Sequence, residues 1–197
     1  MLNKTVLAFL VSLLLFSVFA GTRLIQVRSQ SIPVVSVMFP NSTNSSINEY
    51  RLNNTFRVNI TVNSPDIAVW SWQAGIYFNS SVLEVTDLGN GTFFNGRYTL
   101  GFQAGTIHND LGYVTISGNS LRLPDTEGVK DYGTLMWFQF FVKKRASSLL
   151  NLTQSPPDLT VGVKLNEKIG NDVVPISPIN LQNGRIKIRR VGDLGGE

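Results

Sequence analysis

From Trp70 to Phe78 the chain keeps a period of two. Trp70, Trp72, Ala74, Ile76 and Phe78 are apolar, while Ser71, Gln73, Gly75 and Tyr77 between them are small, polar or amphipathic. Successive side chains of a β-strand point to opposite faces, so this rhythm predicts a strand with one face on a core and the other toward water. A polar turn, Asn79-Ser80-Ser81, follows it, and Val82-Leu83-Glu84-Val85 opens the next strand.

The same pattern recurs along the chain. Phe56, Val58, Ile60 and Val62 alternate with Thr55, Arg57, Asn59 and Thr61. Further strands are expected over 33–39, 82–88, 98–102, 113–117, 134–143, 159–165 and 182–188, separated by Gly, Asn, Asp, Ser and Pro. No segment beyond the first thirty residues shows a helical period. About nine short strands at such spacing predict an all-β fold, an antiparallel β-sandwich or jelly roll.

The N-terminus reads differently. Lys4 precedes an apolar run from Val6 to Ala20 broken only by serines, and Val18-Phe19-Ala20 offers compact residues for cleavage. The run is short against the roughly 20 apolar residues of a membrane span. Residues 1–30 are therefore read as a secretory signal peptide, with a retained N-terminal anchor as the alternative. Residues 31–190 form the sandwich, and 191–197 a flexible tail or the start of a truncated C-terminal module. Gly192-Asp193-Leu194 faintly resembles the opening of a calcium-binding repeat, but the remaining ligands of such a loop do not follow.

Export changes the meaning of the charge. Of 17 Lys and Arg, Lys4, Arg23 and Arg28 lie before residue 31, leaving 14 bases against 13 acids. That balance gives no reason to expect nucleic acid as a partner, and contact with a membrane is expected only through an uncleaved leader. Lys143-Lys144-Arg145 reads as a solvated loop. The chain has no cysteine, which excludes disulfides, thiol chemistry and Cys-based zinc sites.

Seven Asn-x-Ser/Thr sequons lie beyond the leader, at Asn41, Asn44, Asn53, Asn59, Asn79, Asn90 and Asn151. They are candidates for N-glycosylation if the chain is exported, and they are equally the composition of ordinary turns.

Five blocks taken in order resemble the cohesin family, the β-sandwich modules of cellulosome scaffolds and their archaeal relatives. They run over 54–62, 74–85, 112–117, 133–143 and 183–188. The most specific is Ala-Gly-Ile-Tyr-Phe-Asn-Ser-Ser-Val-Leu-Glu-Val, residues 74–85. The resemblance implies a non-catalytic extracellular or cell-surface module that binds a protein partner of dockerin type. The wider superfamily also holds modules that bind carbohydrate and serve polysaccharide breakdown. Carried over by strand position, the partner-binding face would present Ser71, Gln73 and Tyr77 from one strand, and Tyr113, Thr115 and Ser117 from its neighbour. The chain departs from the family in having Leu52-Asn53-Asn54 where a Gly-Asp turn is common, and in its heavier tryptophans.

Catalysis finds little support. His108 is the one histidine, in a loop beside Asp110, with no serine nucleophile motif around it. Glu84, Asp87, Asp110, Asp125, Glu127 and Asp131 are scattered over loops rather than paired as a glycosidase requires. No cofactor is expected and no metal site is read, though a structural calcium held by loop oxygens stays open. Trp137 and Phe141 share the parity opposite to Phe138 and Phe140. They are either covered by a neighbouring loop or form an exposed aromatic patch for a protein or polysaccharide. A glycosylated subunit of a surface filament or layer, joined by strand exchange, is the structural alternative.

Overall fold

The computed structural model describes residues 30–40, 48–125, 127–154 and 161–188. The leader up to residue 29, the tail 191–197 and the sequons at Asn41 and Asn44 lie outside the described residues. In chain order the strands are β1 (Val34–Met38), β2 (Asn48–Tyr50), β3 (Thr55–Asn63), β4 (Ser71–Tyr77), β5 (Leu83–Asn90) and β6 (Ile107–His108). They continue with β7 (Tyr113–Ser120), β8 (Tyr132–Val142), β9 (Ser147–Leu150), β10 (Val163–Ile169), β11 (Asp172–Pro175), β12 (Asn180–Gln182) and β13 (Gly184–Ile188).

Two five-stranded sheets carry the fold, in the orders β12-β1-β3-β8-β5 and β11-β10-β4-β7-β6. Alternation decides what they bury. Val58, Ile60 and Val62 of β3, with Phe138 and Phe140 of β8, turn into one core shared with Trp72, Ala74 and Ile76 of β4. Phe78 meets Phe140 edge-on, ring centroids 5.5 Å apart, where the two layers touch. Each such fully buried side chain contributes about 1.5–3 kcal/mol. In a domain without disulfides this packing is the main source of stability.

A third sheet, β2-β13-β9, adds Leu150 and Ile186 to the same core. Tyr50 stacks on Phe56 at 3.9 Å and joins it to β3. The pairings are antiparallel except β1 with β12 and β13 with β2, which are parallel. The expected antiparallel sandwich is present, in thirteen strand segments among the described residues rather than about nine.

The differences have local causes. Gln182–Ile188 is divided at Asn183, whose side-chain oxygen accepts the Leu152 N–H, so the chain leaves one sheet and enters another. Residues 98–102 do not form a strand; Thr99 and the following Gln103 touch β7 and its extension through isolated bridges with Leu121 and Gly118. The strand expected over 159–165 begins at Val163. β1 pairs on both sides within its own sheet, with β3 and β12, which makes it a resident strand. At the edge of β5, the carboxamide of Asn109 accepts the Val85 N–H at 2.8 Å and donates to the Val85 carbonyl at 2.9 Å.

Candidate functional site

The outer face of the β10-β4-β7-β6 sheet is built on the outward residues of the Trp70–Phe78 alternation. Trp72, Ala74 and Ile76 are buried, Gln73 is exposed, and Ser71 and Tyr77 are partly exposed on the other side. The Asn166 amide of β10 donates to the Ser71 hydroxyl at 2.9 Å and fixes it on this face. Tyr77 and Tyr113, register partners on β4 and β7, bring their rings to 6.0 Å. Tyr113 in turn lies 4.7 Å from the His108 ring on β6. Three rings thus cross three strands in a row. His108 therefore belongs to this face as an aromatic, a role its isolation in the sequence does not announce.

On β7 the expected parity fails part-way. Ala74 pairs with Ser117 and Ile76 with Val114, so Thr115 and Ile116 together oppose Gly75. The extra residue is a β-bulge, and beyond it the faces exchange. Ser117, expected outward, is wholly buried. Its hydroxyl accepts the Gly105 N–H at 2.9 Å, and the Thr115 hydroxyl accepts the Thr106 N–H at 2.7 Å. Both side chains tie the segment before β6 to β7; Ser117 is unavailable to a partner. Gly75 is required at the bulge, because a Cβ there would come within 2.7 Å of the Val114 carbonyl oxygen.

Beside the row the same face holds a cleft of about 330 Å³ between β4, β7 and the segment around Leu100. Ser71, Gln73, Gln103, Ser120 and Asn166 line it, and none of its lining residues is ionisable. The sequence reading missed Gln103 and Leu100, since pairing by isolated bridges leaves no periodic signal.

The second aromatic pair lies on the other sheet. Trp137 and Phe141 are partly buried on the outer side of β8. The Trp137 ring packs on Gly89, where a Cβ would lie 2.5 Å from Cζ2, and the Arg57 guanidinium carbon sits 3.7 Å from the ring centroid. The cover is thus a residue of the neighbouring strand rather than a loop. The guanidinium takes one face of the Trp137 ring.

Among the acids, Asp125 forms an ion pair with Arg97 at 2.9 Å, and Asp131 accepts the Tyr132 N–H. Among the described residues no three His, Asp or Glu side chains converge as metal ligands. Of the sequons, Asn53, Asn79 and Asn90 are exposed, and Asn59 and Asn151 partly so. Asn53 sits in a turn with φ of 63°, and the Asn79 side-chain oxygen accepts the N–H and hydroxyl of Ser81.

No family model and no curated protein matches the chain. Solved structures do. A type II cohesin domain from the cellulosome of Acetivibrio cellulolyticus superposes with a TM-score of 0.60 at 15% identity, over 79% of this chain and 95% of that one. The chain has the cohesin fold. A non-cellulosomal cohesin from Archaeoglobus fulgidus gives a TM-score of 0.55 at 18% identity, over 83% and 95% of the two chains. A type I cohesin–dockerin complex from Clostridium thermocellum, Coh-OlpC with Doc435, gives 0.59 at 14% identity, over 84% and 99%. The fold shared with these structures is a β-sandwich, as the alternation along β3, β4 and β8 requires.

Proposed function

We propose that the chain is an exported, non-catalytic recognition module that docks a protein partner of dockerin type on the outer face of β10, β4, β7 and β6. The carrying observation is the row Tyr77, Tyr113 and His108, on paired strands, beside a charge-free cleft. Such a preformed patch, aromatic at one end and hydrogen-bonding at the other, suits protein docking with little ordering cost. Solved cohesins with this fold include several captured with dockerins, which supports the same reading. The charged start and apolar run of residues 1–20 support export.

The test is a binding titration with the dockerin modules encoded in the source genome, each produced singly, against native protein and the Ser71→Arg, Gln73→Arg and Tyr113→Ala variants. Binding that is lost in these variants and kept in Arg57→Ala is expected. Retention on polysaccharide with no module bound would reverse the reading. N-terminal sequencing of the protein recovered from culture medium checks export, expected to begin near residue 21 or 31 rather than at Met1.

A further inference from the structure

Two of the sequons meet at one depression. Asn79 follows β4 and Asn151 follows β9, and the main chains of Tyr77 and Asn151 exchange hydrogen bonds at 3.0 and 2.9 Å. An open depression of about 430 Å³ lies there, lined by both asparagines with Tyr77, Ser147 and Leu149. Leu149 is 53% exposed. A leucine beside a tyrosine, with hydroxyl and amide groups around them, suits a sugar ring: its C–H face packs on the apolar groups and its hydroxyls meet the polar ones.

Asn79 is held firmly at the rim. Its N–H donates to the Ser148 hydroxyl oxygen at 3.1 Å, and its main-chain carbonyl accepts the Val82 and Leu83 N–H groups at 3.0 and 2.9 Å. Its carboxamide oxygen accepts the Ser81 N–H at 3.0 Å and the Ser81 hydroxyl at 2.8 Å. Two donors on that oxygen draw electron density from the amide and ease the loss of a proton from Nδ2. Asn79 and Ser81 are both exposed, so carboxamide and hydroxyl stay open to an enzyme in the folded protein.

The fold sorts sequons that look alike in sequence. Thr61, which completes the sequon of Asn59, is only 4% exposed. The Thr153 hydroxyl, which completes that of Asn151, is buried with no hydrogen-bond partner among the described residues. An enzyme that must reach the hydroxyl would find Asn79 ready and these two closed.

We infer that Asn79 carries an N-linked glycan, attached to the folded chain, whose first sugar lies in the depression against Leu149 and Tyr77. This rests on the export reading and not on the docking one, since such transfer takes place in secreted proteins. In the step, Nδ2 attacks the anomeric carbon of a sugar carried as a phosphate ester on a lipid. One C–N bond forms and the C–O bond to the phosphate breaks. The electron pair of that bond leaves on the phosphate oxygen, and one Nδ2 proton passes to a base of the transferase.

The experiment weighs the peptides of full-length protein recovered from the source culture. Sugar is expected on the peptide that holds Asn79 and not on those that hold Asn59 and Asn151. It should disappear in Ser81→Ala and persist in Ser81→Thr, which keeps the hydroxyl. The same chain made in the cytosol of a host without such a transferase is the bare reference. The glycosylated protein should unfold about 2–4 °C above it, a shift that one good contact gives at this length. Leu149→Ser should abolish that difference. A bare Asn79, or sugar on all three asparagines alike, overturns the site, and a processed N-terminus in the same sample leaves the export reading standing. Protein confined to the cytosol overturns both. Sugar on Asn79 with no thermal gain, or with a gain unchanged in Leu149→Ser, overturns the seat in the depression.

Discussion

The guanidinium carbon of Arg57 lies 3.7 Å from the centroid of the Trp137 ring. The two residues sit on paired strands, β3 and β8, and the ring rests on Gly89 of β5. Arg57→Ala should lower stability by about 0.5–1 kcal/mol, the range of an accessible cation–π contact. Gly89→Val forces the ring off its seat and should cost more, about 1–3 kcal/mol. Urea midpoints of the two variants check the order.

Trp70 and Ser71 are neighbours in sequence with opposite surroundings. Trp70 is buried, with the Lys168 ammonium 4.4 Å from its ring centroid, and Ser71 faces out. Trp70→Ser should lose about 3–5 kcal/mol and unfold much of the protein at 37 °C, whereas Ser71→Trp should lose about 1 kcal/mol. Similar losses in a denaturation series would contradict the assignment of faces.

The bulge opposite Gly75 makes its own demand. A methyl at this position would press on the Val114 carbonyl, so Gly75→Ala should destabilise by about 1–3 kcal/mol despite the usual gain from replacing glycine. The shift should appear in amide exchange at Val114 and Thr115 first. A stabilised variant would mean that the two strands pair without the extra residue.

Burial pushes the Tyr50 phenol up from its ordinary value of 10.0 to about 12. Between those values the unfolded chain has given up the proton and the folded chain retains it. Stability from this group is therefore complete below about pH 10 and lost as pH climbs through about 12. Tyr50→Phe should flatten that fall, visible as a smaller drop in urea midpoint between about pH 9 and about pH 11 than in native protein.

Much of the fold was legible because strands record their burial in every second residue. β3, β4 and β8 were readable from Phe56–Val62, Trp70–Phe78 and Phe138–Val142, each of which turns one parity into the core. Short edge elements were not. β9 has four residues and β11 ends on Pro175, too little for a rhythm to register. On the face, Ser71, Gln73, Tyr77 and Tyr113 follow from alternation, but Ser117 does not, because the bulge that turns it inward depends on Gly75 from another strand. His108 and Leu100 were beyond reach for a related reason: each gains its setting from β7. Periodicity carries no information about partners distant in sequence.

Asn109 has a consequence for crowding. By engaging both main-chain groups of Val85 it occupies the rung on which an incoming strand would start to pair. Copies packed densely side by side would meet a border already closed at that point, and self-association by lengthening this layer would first have to dislodge one carboxamide.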